Sequence, residues 1–252
     1  MQPGRDTPRA SKEINSFFGA TYIINLRSRS DRRAEMAEQL GRIGLSLRSP
    51  GLTLFEAIKP DAPAGFPTAG VRGCFMSHLE VLRDASRKHA ASVLILEDDL
   101  NFCEDFVARF SAVAHWLEAS QWGMFYGSYF LAEPLQRSER PCTPVDPQCA
   151  IGTSAFIAIH GRHIDALVAY LDAMLKRSPG DALGGPMHID GAYCWFRQAH
   201  PEVLTCLSSS ALGFQRSSRT DVQALRWFDR MACLSGSVAK LRRWRNRYRQ
   251  PR

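Results

Sequence analysis

Apolar residues along the chain follow two rhythms. Short uninterrupted runs, several rich in β-branched residues, occupy residues 21–26, 52–58, 93–96, 124–126, 154–159 and 203–207, and these predict strands. Between them apolar positions recur every three or four residues. Met36, Leu40 and Ile43 predict a helix that opens with Ser30 as its N-cap and ends at Gly44. Residues 75–90 predict a second helix. Phe106, Phe110, Val113 and Leu117 predict a third, and residues 164–175 a fourth. A short helix is expected to start at His188. Strand, helix, strand is the opening of an α/β unit, so the expected class is α/β.

Residues 59–73 and 178–187 are rich in Pro and Gly and read as loops. Residues 131–150 hold four prolines and read as a long mobile loop, a candidate lid over bound ligand. The expected organisation is a flexible leader over residues 1–18, one domain over residues 19–221, and a basic amphipathic helix over residues 222–252. No apolar run approaches the roughly 20 residues that cross a bilayer, and residues 1–15 hold no apolar signal segment. The expectation is a cytoplasmic protein.

Charge sharpens that picture at one end. Of the 32 basic residues, seven lie between residues 237 and 252 with no acid among them, and the other 25 are matched by 25 acids. Leu225, Phe228, Met231, Leu234, Val238, Leu241, Trp244 and Tyr248 form an apolar stripe through the same segment. Such a helix suits the anionic inner face of a membrane, with each cation contributing on the order of 1 kcal/mol near the surface. No nucleic-acid-binding motif accompanies the charge, and nucleic acid is not expected as a partner. The seven cysteines include no CxxC pair, which speaks against a structural zinc site. Cys142 and Cys149 share a Pro-rich stretch, where a pairing is conceivable but not favoured.

Four clusters can carry chemistry. Glu97, Asp98 and Asp99 follow the apolar strand 93–96 directly. Three adjacent carboxylates repel one another, and a hard divalent cation, Mg²⁺ or Mn²⁺, is the natural compensation. In extended chain Glu97 and Asp99 would share one face and Asp98 the other; the bland reading is a solvated acidic loop. Ser77-His78, at the expected start of a helix, can bind a ligand or cap the helix. His188 and Asp190 stand at the mouth of another helix, where Asp190 is a general-base candidate or a plain N-cap. The stretch from Gln215 to Asp221 is a fourth candidate, with an exposed polar turn before the last helix as its bland reading. No Gly-rich phosphate loop is present.

The order of these pieces resembles the lipooligosaccharide β-galactosyltransferases and procollagen galactosyltransferases of glycosyltransferase family twenty-five. The resemblance rests on Ile24-Asn25-Leu26 with Asp31-Arg32-Arg33, on Cys74-Phe75-Met76-Ser77-His78, on Leu96-Glu97-Asp98-Asp99, on Gly152-Thr153, loosely on Pro186 through Asp190, and on Gln215 through Asp221. It implies a GT-A-like single domain with a mixed, mostly parallel central sheet flanked by helices. It implies an inverting, metal-assisted transfer from a UDP-sugar, often UDP-galactose, to a saccharide or lipid-linked oligosaccharide acceptor. Asp99 would be the leading metal ligand, with Glu97 and His188 beside it. Asn25, Leu26, Arg32, Ser77, His78, Glu97 and Gln215 would surround the nucleotide sugar. Asp190 would be the base, and Asp98 a second catalytic candidate. The alternatives are an inactive glycosyltransferase-like binding protein and a metal-dependent hydrolase.

Overall fold

The computed structural model describes residue 14, residues 17–133 and residues 138–216. The basic helix expected over residues 222–252 lies outside the described residues, as do residues 217–221 and most of the expected leader.

The elements run β1 (Ala20–Asn25), α1 (Ser30–Arg42), β2 (Leu52–Glu56), α2 (Ala69–Arg87), β3 (Ser92–Glu97), β4 (Leu100–Phe102), α3 (Phe106–Glu118), β5 (Met124–Leu131), β6 (Cys142–Val145), β7 (Ile151–His160), α4 (Gly161–Leu175), α5 (Ile189–Ala199), β8 (Thr205–Ser208) and β9 (Gly213–Gln215). Seven strands form one sheet in the order β2-β1-β3-β7-β5-β8-β6. β1 pairs parallel with β2 and β3, and β5 with β8, while β7 and β6 run against their neighbours. Five of the seven strands therefore point the same way, a mixed and mostly parallel sheet of the expected α/β class.

Alternation along the strands builds two cores. Tyr22, Ile24, Val93, Ile95, Ile157 and Ile159 face α2, α4 and α5. Ile23, Leu94, Leu96, Phe156 and Ala158 face α1 and α3. Both faces of the sheet are covered, which is why the central strands read as continuous apolar runs. Ile14 and Phe18 are buried in the second core, where Phe18 and Phe17 meet Phe110 and Trp122.

Several local expectations are corrected. α2 begins at Ala69, not near residue 75, because the Thr68 hydroxyl caps it by accepting from the Val71 N–H at 3.1 Å. Gly70 and Gly73, read as loop residues, lie in that helix. A Cβ on Gly73 would sit 2.4 Å from the Ile58 carbonyl oxygen, so the glycine reflects a close approach of backbone. Ser77 and His78 therefore stand in the middle of α2 rather than at its start. Ser30 is the first helical residue of α1 and Arg29 holds the cap position, without a side-chain cap. The stretch 131–150 is not all loop: Cys142–Val145 is an edge strand on β8, a position where Pro144 is tolerated. Cys142 and Cys149 are both free thiols.

Candidate functional site

The carboxyl ends of β1 and β3, together with the β2–α2 connection and the first half of α2, enclose a cleft of about 360 Å³. Ile24, Leu26, Arg32, Cys74, Ser77, His78, Glu97 and Asp98 line it, with residues 57–60 across from them. Ligands in open α/β sheets bind outside the carboxyl ends of strands, and the sequence-predicted residues of β1, α1, α2 and β3 converge there.

The acidic triplet is not extended. β3 ends at Glu97, and Asp98 and Asp99 form a turn. The expected alternation of faces is therefore lost: one Arg32 nitrogen lies 3.0 Å from Asp98 Oδ1 and 3.1 Å from Asp99 Oδ2. Asp98 also accepts from Asn25 Nδ2 at 2.7 Å, and Arg33 donates to Asn25 Oδ1 at 3.1 Å. Asp98 is thus held in a network that fixes β1 to the triplet. Both of its oxygens accept hydrogen bonds, one from Arg32 and one from Asn25.

Glu97 and Asp99 differ. Glu97 Oε1 accepts from Ser154 Oγ at 2.5 Å and lies 3.3 Å from His78 Nε2. Burial pushes its carboxyl up, but His78 and Ser154 outweigh that and hold it below its ordinary value. Asp99 accepts from Gln215 Nε2 at 3.3 Å through one oxygen, while Oδ1 is buried without a hydrogen-bond partner. Burial, and then the charge of Glu97, push the Asp99 carboxyl up to about 7, against the pull of Arg32. An orphaned, electron-rich oxygen beside a second carboxylate is a fitting place for a divalent cation.

That shift predicts a pH dependence. Asp99 binds its proton more tightly in the folded chain than at its ordinary 3.8, so the folded state holds an extra proton between about 4 and about 7. Stability contributed by that proton is complete below about 4 and is lost as the pH rises through about 7, by up to about 4 kcal/mol. Urea unfolding in EDTA should show the fall between pH 4 and 7, with Asp99→Asn flattening it. An unchanged profile in the variant contradicts the assignment.

His78 is fully buried, with Nδ1 3.0 Å from the Tyr193 hydroxyl. Ser77, also fully buried, donates to the Gly73 carbonyl at 2.7 Å and accepts from the Ile58 N–H at 2.9 Å. Its hydroxyl fastens the β2–α2 connection to the helix, at the wall of the cleft.

Asp190 stands in the first turn of α5, and His188 is the cap residue. The Thr153 N–H donates to Asp190 Oδ2 at 3.2 Å, and the Gly191 N–H to Oδ1 at 2.9 Å. Burial raises the Asp190 carboxyl above its ordinary value and lowers His188 below its own. Thr153 has a φ of 66°, an outlier for a β-branched residue of the kind concentrated at functional sites. Its hydroxyl reaches Gln215 Oε1 at 3.2 Å, so Asp190, Thr153, Gln215 and Asp99 form one chain of contacts. Gln215 is delivered by the small β4–β9 ladder, where Leu100 pairs with it. Neither short strand was expected.

Among the described residues, the group of three whose ligand atoms converge is Cys74, His78 and Glu97, within 4.8 Å of one another. The expected set of Glu97, Asp99 and His188 does not converge in this way among the described residues; His188 faces the charge of Asp190. Other site residues escaped the sequence reading. Tyr193 sits three positions after Asp190 on one helix, a spacing that signals a shared face. Ser154 follows the quoted Gly152-Thr153. Arg216 adjoins Gln215 and donates to the Asp98 carbonyl at 2.6 Å and Asn101 Oδ1 at 2.7 Å.

Residues 18–129 match the family described as glycosyltransferase family 25 (LPS biosynthesis protein). The segment is of glycosyltransferase family 25. The match takes in β1 through most of β5, and with them Asn25, Arg32, His78 and the acidic triplet. Relatives include the inactive glycosyltransferase 25 family member 3 of Homo sapiens, 26% identical over 50% of this chain and 24% of its own length. Procollagen galactosyltransferase 1-B of Xenopus laevis is 28% identical over 51% of this chain and 23% of its own length. The chain thus spans about a quarter of the length of these relatives. A solved glycosyltransferase involved in glycosylation of the major capsid of PBCV-1 superposes with a TM-score of 0.38 and 10% identity, over 82% of this chain and 98% of its own.

Proposed function

We propose that this protein is a GT-A-like, metal-assisted glycosyltransferase that moves a hexose, with galactose the first choice, from a UDP-sugar to a saccharide acceptor of lipooligosaccharide type with inversion. The observation that carries the reading is the orphaned Asp99 Oδ1 beside Glu97, next to the cleft at the carboxyl ends of β1 and β3. Asp99, with Glu97, would hold Mn²⁺ or Mg²⁺. When bound, such an ion neutralises charge on a departing diphosphate.

The chain's own residues supply the rest. Arg32 fixes the turn that presents Asp99 and adds positive charge at the rim of the cleft. Leu26 and Ile58 offer apolar walls for a base. Asp190, whose carboxyl is raised by burial, takes the acceptor hydroxyl proton as that oxygen attacks the anomeric carbon. The basic segment over residues 222–252 would seat the enzyme on the anionic inner face of a membrane, beside a lipid-linked acceptor.

A second reading is a nucleotide-binding protein without transfer, and the relatives named inactive favour keeping it. Calorimetry with UDP and Mn²⁺ tests the site: binding is expected in the micromolar range, weakened at least tenfold in Asp99→Ala. No binding at millimolar UDP overturns the site. Binding without metal-dependent turnover across a panel of UDP-sugars with saccharide acceptors supports the second reading instead.

A further inference from the structure

Cys74 and His78 carry no step of the proposed transfer, yet with Glu97 they form the group of three metal-ligating side chains that converges among the described residues. They stand four residues apart on α2, so both project from one face, and Glu97 reaches them from β3. A sulfur, a ring nitrogen and a carboxylate oxygen lie within 4.8 Å of one another. His78 is fully buried and its Nε2 makes no hydrogen bond, although Glu97 Oε1 is 3.3 Å away. The contact is close enough for an ion pair but is not aligned as a hydrogen bond.

That separation has a second meaning. Two donors each about 2.0–2.1 Å from a tetrahedral zinc ion lie roughly 3.3 Å apart. The other ring nitrogen, Nδ1, is 3.0 Å from the Tyr193 hydroxyl. A ligating histidine is held in this way, one nitrogen free for the metal and the other fixed by a neighbour that sets the tautomer. Thiolate, imidazole and carboxylate together select a borderline-soft ion over Mg²⁺ or Mn²⁺. Cys74, His78 and Glu97 all line the cleft, so a fourth coordination position opens onto it.

We propose that Cys74, His78 and Glu97 bind a zinc-class ion with its fourth position facing the cleft. Binding replaces the thiol S–H bond with a sulfur–metal bond and releases that proton to solvent. The site differs in donor chemistry from the hard-ion position at Asp99, with a thiolate and an imidazole in place of a second carboxylate. It shares Glu97 with that position but does not depend on the transferase reading.

Cobalt(II) titrated into the full chain without nucleotide reports the site directly, because a thiolate ligand gives a charge-transfer band and tetrahedral geometry gives intense visible bands. One equivalent is expected to saturate both, and one equivalent of zinc to remove them. The bands should vanish in Cys74→Ser, weaken at least tenfold in His78→Gln, and persist in Asp99→Ala. Cys74→Ser preserves size and carries the decision, with circular dichroism to confirm folding, since His78 is buried and its loss also strains the core. Absence of a thiolate band in the wild type, or an identical band in Cys74→Ser, overturns the proposal. UDP–Mn²⁺ binding is read separately, so either result can fail while the other stands.

Discussion

Arg32→Ala is expected to destabilise the chain by about 3 kcal/mol, a large part of the stability of an ordinary domain. Arg32 is the cation that faces both Asp98 and Asp99, and its side chain is only 18% exposed against 9% for each aspartate. Removing it leaves two buried carboxylates beside Glu97 with only the neutral donors Asn25 and Gln215. Arg216 does not substitute, because its guanidinium already engages the Asp98 carbonyl, Asn101 and Glu35. Urea unfolding in EDTA is the measurement, followed upward from pH 8, because losing Arg32 raises the Asp99 carboxyl further and a proton taken up there relieves part of the cost. Millimolar Mn²⁺ should restore part of the loss, since an ion that binds only the folded chain stabilises it. That rescue should disappear when Asp99→Ala is added. A loss under about 1 kcal/mol would class the contact with ordinary surface ion pairs and remove the reason for the turn.

The part of this site that was legible in the sequence is the part built from strand ends. The run 93–96 fixes where Glu97 emerges, and 21–26 places Asn25 beside it, because β1 and β3 pair in parallel with Ile24 opposite Glu97. What periodicity does not encode is how the chain turns after Glu97. Asp98 and Asp99 leave the strand, so the expected split of faces gave way to a shared Arg32. Nor does it encode the β4–β9 ladder, whose strands are three residues each and are separated by over a hundred positions. That ladder is what brings Gln215 and Arg216 to the acidic turn. His78 was visible as a candidate, but its burial and its bond to Tyr193 depend on α5 packing on α2, a tertiary contact with no local signature.

Asp190→Asn is expected to lower kcat by 10²–10⁴, equivalent to about 3–5 kcal/mol on the barrier, with the KM for the donor nearly unchanged. The competing account makes Asp190 a structural residue of the first turn of α5. The two accounts part on what asparagine retains. Its carbonyl still accepts one of the two backbone N–H groups, from Thr153 or Gly191, so a structural role predicts a modest loss of stability and an unaltered rate. A base loses its function altogether, because the amide takes no proton. Position favours the base. Asp190 is tied through the strained Thr153 and through Gln215 to Asp99, so the proton-accepting carboxylate and the candidate ion ligand are held in one frame. Burial raises its carboxyl above its ordinary value, which strengthens it as a proton acceptor. Turnover of UDP-sugar by Asp190→Asn within threefold of wild type, with the fold intact by circular dichroism, would assign the proton to another group. His188, the cap residue of the same helix and itself lowered by burial, is then the residue to replace next.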